Sequence, residues 1–219
     1  MEEWLKTYVQ RMEEVFGSRI VFAGIQGSYG RGEATEKSDI DVVLILDELD
    51  YIDLKTYDNA ISSLSHRDKI CGFVSGKKEL ENWEKSDLFQ FYHDTTPLLG
   101  SLEWMKEIIK EEDILQAVHL GACNIYHMCV HNAVHEKSSE ALRAMYKSAV
   151  FVLQAKYFCE KQIYIKTKAE LLTRLEGLDQ KILESAAGGD FNGNFDQLSE
   201  MLINWTGKII KHTFFTKAT

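Results

Sequence analysis

Two short runs of branched apolar residues, 19–25 and 39–46, flank a glycine-rich stretch, Gln26-Gly27-Ser28-Tyr29-Gly30-Arg31-Gly32. Runs of this length and branching read as buried strands. The glycines read as a turn that lets the backbone come close to a ligand. The second run opens on Ser38-Asp39-Ile40-Asp41. The order is therefore strand, Gly-Ser turn, short helix, Ser-Asp-x-Asp, strand. It constrains the fold more than any other part of the chain.

The same stretch suggests a chemistry. Amides that follow Gly27, together with the Ser28 hydroxyl, can donate to phosphate oxygens, helped by a helix N-terminus. Arg31 adds a charged, forked donor. Asp39 and Asp41 stand two apart on an expected strand, so they project to one side and can share a hard cation such as magnesium. Asp41 also leads into an apolar run, where a carboxylate is costly unless a cation compensates it. Taken singly, a Gly-Ser turn is most often only a turn, and aspartates at i and i+2 are most often a solvated strand end. The combination is much more specific.

Around this segment the sequence reads as a mixture of helices and a small sheet. Residues 2–16 carry Trp4, Leu5, Val9, Met12 and Phe16 at helical steps. Residues 51–65 read as a helix, 69–74 as a third strand with a turn at Ser75-Gly76, and 78–83 as a short helix. The aromatic density of LFQFYHDT, residues 88–95, predicts a fourth strand with Leu88, Gln90, Tyr92 and Asp94 on one face. The single proline is Pro97, and after it and Gly100 the pattern becomes helical throughout. Helices are expected at 102–110, 112–134, 138–161, 167–186 and 194–215, broken by a turn at 136–140 and a loop at 188–194. The fold class is therefore α+β: a small mixed sheet with flanking helices over residues 1–101, followed by an all-α bundle over 102–219.

Charge and composition exclude some partners. A formal net charge of -9, with no dense basic run, argues against a general nucleic-acid binder. No apolar run approaches a membrane span, and the charged start does not resemble a signal peptide. Cys71, Cys123, Cys129 and Cys159 show no CxxC spacing, which fits reduced thiols in a cytoplasmic protein. His127, His131 and His135 recur at i, i+4 and could line a metal-binding helix face, but HMCVHNAVH lacks the HExxH order. A packing or cleft-lining face is the simpler reading.

The pattern G-S-x-x-x-G followed by S-D-x-D resembles the signature of the DNA-polymerase-beta-like nucleotidyltransferases, carried here by Gly27-Ser28, Arg31-Gly32 and Ser38-Asp39-Ile40-Asp41. That superfamily includes aminoglycoside and lincosamide nucleotidyltransferases, some of which pair the catalytic domain with a helical bundle. The resemblance implies magnesium at Asp39 and Asp41, and a triphosphate, ATP foremost, at Gly27, Ser28, Arg31 and Ser38. It also implies a third carboxylate on a later strand, as base or further ligand. Asp94 is the leading candidate over Asp68, and Glu33 reads as a surface helix residue. The expected reaction moves AMP from ATP to a hydroxyl of a small molecule, with an aminoglycoside-like antibiotic as the family-level suggestion and antibiotic resistance as the setting. The alternatives are transfer to a protein or RNA partner, or a degraded module that only binds nucleotide. The bundle would bind the acceptor or form a homodimer.

Overall fold

In the computed structural model, which describes residues 1–212, the first element is helix α1 (Glu2–Phe16). Its apolar stripe buries Tyr8, Met12 and Phe16. A short 3-10 turn leads into β1 (Ile20–Ile25), followed by α2 (Gly27–Arg31), β2 (Ile40–Leu46) and α3 (Tyr51–Ser62). The chain continues through β3 (Ile70–Gly76), α4 (Lys77–Glu81), α5 (Lys85–Asp94), β4 (Thr96–Gly100) and α6 (Met105–Ile108). The sheet order is β3-β2-β1-β4, with β2 and β3 parallel and the other pairs antiparallel. It is a small mixed sheet, as the sequence pattern predicts.

One sheet face buries Ala23, Ile25, Ile40, Val42, Leu44 and Leu46 against α1 and against Ala60 and Ile61 of α3. Alternation along β2 turns Asp41, Val43 and Ile45 to the other face. Two helices on one face thus leave the opposite face of the central strand to carry Asp41.

Residues 88–95 correct the expectation of a strand. All but Thr95 belong to helix α5, so Leu88, Gln90, Tyr92 and Asp94 do not share a face. Leu88 and Phe89 are buried, and the Phe89 and His93 rings, four residues apart, stack edge to face at 4.7 Å. That contact needs helical spacing. The fourth strand is β4 instead, and it carries Pro97. Pro97 lies on an outer strand of the sheet, where a missing N–H is tolerated.

The chain forms two compact units, Met1–Ile108 and from Ile109 onward. The second unit holds α7 (Glu111–His131), α8 (Ser139–Lys161), α9 (Lys168–Leu172), α10 (Gly177–Gly188) and α11 (Phe195–His212). The expected helix at 167–186 is therefore two helices, separated by a turn after which Gly177, with φ +62°, opens α10. The expected helix at 102–110 shrinks to α6. Residues 213–215 of the last expected helix lie outside the described residues.

Inside the second unit several polar groups are paired across helices. Tyr146 donates to the Leu198 carbonyl at 2.9 Å, and the Trp205 indole donates to Asp179 at 2.7 Å. Lys156 ion-pairs with the same Asp179. Asn132 exchanges two hydrogen bonds with the backbone of Ser138, whose hydroxyl caps α8 by accepting from the Ala141 amide. A π-helical segment, Asn132–Glu136, sits between α7 and that cap. No described helix is long and apolar enough to cross a membrane.

Candidate active site

The site is built where β1 ends and β2 begins. The two strands are antiparallel neighbours, so the exit of one lies beside the entry of the other. The Gln26 amide donates to the Asp41 carbonyl at 2.8 Å and closes this junction. Gly27 then turns the chain into α2 with φ +63°, a conformation that favours glycine. A Cβ at Gly27 would overlap the Asp41 carboxylate. The turn and the Asp41 carboxylate therefore meet in direct contact, with no room for a side chain between them.

Gly30 has a similar role one turn later. A Cβ there would come within 2.9 Å of the Ile25 carbonyl oxygen, so glycine lets α2 settle on the end of β1. Thr96 donates to the Gly30 carbonyl at 3.2 Å. The Gln26 side chain donates to the Thr95 hydroxyl at 2.6 Å and to the Phe91 carbonyl at 3.4 Å. The turn is thus tied at both ends to the α5–β4 junction.

Asp39, Asp41, Arg31 and Asp94 form one electrostatic group. Asp41 is half-buried, and its carboxyl is held above the usual carboxylate range. Burial is the main cause, followed by the negative charge of Asp39; Arg31 opposes the shift, and Asp94 adds to it. Asp39 is exposed and precedes β2 by one residue. Asp94 is only 7 % exposed, and its carboxylate accepts from the Gly27 amide at 3.2 Å and from Arg31 Nη1 at 2.8 and 3.0 Å. Burial works against the Arg31 charge, but Asp94 and then Glu33 outweigh it, so the guanidinium is held above its ordinary pKa.

Several expectations change in detail. Asp94 reaches the site, but from the C-terminal end of a helix instead of a strand. Glu33 is not on a helix surface: α2 ends at Arg31, Gly32 is its left-handed cap, and Glu33 accepts from Arg31 Nε at 3.3 Å. The Ser38 hydroxyl accepts from the Thr35 amide at 2.9 Å and so shapes the loop before β2. Asp68 is exposed in a 3-10 turn ahead of β3. Ser28 lies in the first turn of α2, half-buried. Gln26, which sequence reasoning passed over, has one available signal: it directly precedes the glycine that makes the turn.

The donor set suits magnesium. It is all carboxylate oxygen, and a divalent cation would offset both the burial that chiefly raises Asp41 and the negative charge of Asp39 beside it. No group of three or more His, Cys, Asp or Glu side chains converges as a metal shell among the described residues. Two carboxylates are nevertheless a common protein contribution to magnesium, with water and substrate phosphates supplying the rest. The stepped histidines do not form a metal site either. His131 lies 3.5 Å from Glu136, and the His131 and His135 rings are 4.9 Å apart.

Residues 3–93 match the family model for the nucleotidyltransferase domain, ending one residue before Asp94. No curated protein sequence matches the chain. Among solved structures, the chain is similar to spectinomycin adenyltransferase AAD(9) from Enterococcus faecialis, solved with ATP and spectinomycin. The TM-score is 0.55 at 10% identity, over 92% of this chain and 99% of that one. At that identity the likeness is one of fold. The domain match spans the Gly27 turn, Arg31, Asp39 and Asp41, so residues 3–93 carry a nucleotidyltransferase domain.

Proposed function

We propose that the chain transfers AMP from ATP to a hydroxyl group of a small, polycationic acceptor of the aminoglycoside type. The observation that carries this reading is the contact between the Gly27 turn and Asp41. It supports a reading in which the amides of the turn, as phosphate donors, stand beside a carboxylate whose charge is disfavoured by burial. Fold similarity to an enzyme solved with ATP and spectinomycin supports the choice of nucleotide and acceptor class. The net charge of -9 also favours a cationic acceptor.

In this reading Gly27, Ser28 and Arg31 hold the triphosphate, Ser38 keeps the loop before β2 in shape, and Asp39 and Asp41 hold magnesium. Bound there, magnesium would neutralise phosphate charge and polarise the α-phosphoryl group. The acceptor oxygen forms a bond to the α-phosphorus, the bond to pyrophosphate breaks, and the hydroxyl proton passes to a base or to solvent. The helical unit is assigned acceptor recognition. Four unpaired cysteines are consistent with a reducing compartment such as the cytoplasm.

Incubation with labelled ATP, magnesium and an acceptor panel tests the proposal. Pyrophosphate release that depends on both metal and acceptor is expected. An Asp39→Ala, Asp41→Ala double variant should lose about a thousandfold or more in rate, because metal-borne charge stabilisation is worth several kcal/mol. The Arg31–Asp94 ion pair favours one other reading, a module that binds nucleotide without turnover. Equal activity in the wild type and the double variant would favour that module.

A further inference from the structure

The contacts at the end of α5 give Asp94 a part different from the one its place in the sequence suggests. All three of its short contacts are with donors of the phosphate-binding segment: the Gly27 amide and, twice, Arg31 Nη1. The carboxylate is buried, and both of its oxygens are engaged. A base for the acceptor hydroxyl needs an oxygen within hydrogen-bond reach of that hydroxyl. Asp94 instead spends its oxygens on the groups that would hold the triphosphate.

Arg31 is gripped from two sides, Nη1 by Asp94 and Nε by Glu33. Its Nη2 takes part in none of these bonds. A guanidinium fixed in this way loses little further freedom when it binds phosphate. The Gln26 and Thr96 hydrogen bonds tie the same turn to the same junction. The end of α5 is therefore a mount for the phosphate-binding turn.

We propose that Asp94 is a positioning residue: it sets the Gly27 amide and the Arg31 guanidinium for the triphosphate, and it does not accept the acceptor's proton. This rests on the nucleotidyl-transfer reading above. Asparagine at this position keeps an oxygen that can accept from both donors but cannot serve as a base.

The test uses the full chain with Asp94→Asn, Arg31→Lys, Arg31→Gln and the Asp94→Asn, Arg31→Gln double variant. The readouts are kcat, KM for ATP and calorimetric binding of ATP with magnesium. In Asp94→Asn, KM and Kd for ATP should rise about tenfold, the scale of one charge-assisted hydrogen bond, while kcat falls by less than about threefold. Arg31→Lys leaves Asp94 in place and should weaken ATP binding to a similar degree, which preserves the test if Asp94→Asn does not fold. The double variant should bind ATP little worse than Arg31→Gln alone, because the two residues act through one contact. A kcat loss of about a hundredfold or more in Asp94→Asn, with ATP affinity unchanged, is the signature of a lost base and overturns the proposal. Independent, multiplying losses in the double variant overturn it too. If the wild type binds ATP without turnover, the transfer reading fails while the binding measurements still decide the role of Asp94. A wild type that binds no ATP overturns both.

Discussion

Asp41 shows how burial bears on a single charged residue. Its carboxyl is held above the usual range by burial and by Asp39, so the folded state holds its proton more tightly than the unfolded state does. The sign follows from linkage: that stability is present at low pH and is lost as pH rises through the folded-state pKa. With metal chelated, Asp41→Asn should therefore melt at a higher temperature than the wild type near about pH 8. The difference should shrink toward about pH 4, as calorimetry across that range will show. The cysteines give a second residue-scale expectation. Burial pushes the Cys129 thiol up to about 11, whereas Cys71 is exposed. At about pH 8, a thiol reagent should label Cys71 quickly and reach Cys129 only when denaturant is added. The sequence shows Gly27, Arg31, Asp39 and Asp41 readily, because they fall within one short stretch. It hides the Arg31–Asp94 and Gln26–Thr95 partnerships, because those residues are 63 and 69 positions apart and meet only through the fold.

At the scale of elements, apolar period identifies most helices and strands, and α5 marks where it fails. Aromatic residues favour strands, yet Phe89 and His93 meet across one helical turn, and Leu88 and Phe89 are buried together. In such a short segment, tertiary burial outweighs strand propensity. The true fourth strand, β4, is hidden in turn, because its proline reads as a break unless the strand is known to lie at the sheet's edge. The split between α9 and α10 is invisible for a similar reason: the apolar pattern runs on through the turn before Gly177. The α2 turn yields a prediction that separates element from residue. Gly27→Ala adds a methyl group at φ +63° against Asp41. It should cost about 1–2 kcal/mol from backbone strain alone and abolish ATP binding, measured by melting and calorimetry. Ser28→Ala leaves that backbone untouched and should affect binding only.

For the molecule as a whole, the nucleotidyltransferase domain is legible from one motif and the α+β class from the patterns around it, while the division into helices beyond residue 100 is legible only in outline. A chain sharing 10% identity with its structural neighbour can keep the fold because the motif fixes the active turn and the apolar patterns fix the layers. Ligand linkage gives the whole-molecule test. ATP with magnesium at about a hundred times its Kd should stabilise the protein by about 2.7 kcal/mol, and excess chelator should remove most of that gain. Cys71 carries a practical consequence. It pairs in register with Asp41 on the neighbouring parallel strand, and strands lie about 4.8 Å apart, so an accessible thiol sits one strand away from the proposed metal ligand. Small fragments tethered there through a reversible disulfide would sample the surroundings of the active turn. Such a tethering screen offers a route to acceptor-like compounds even while the natural acceptor is unidentified.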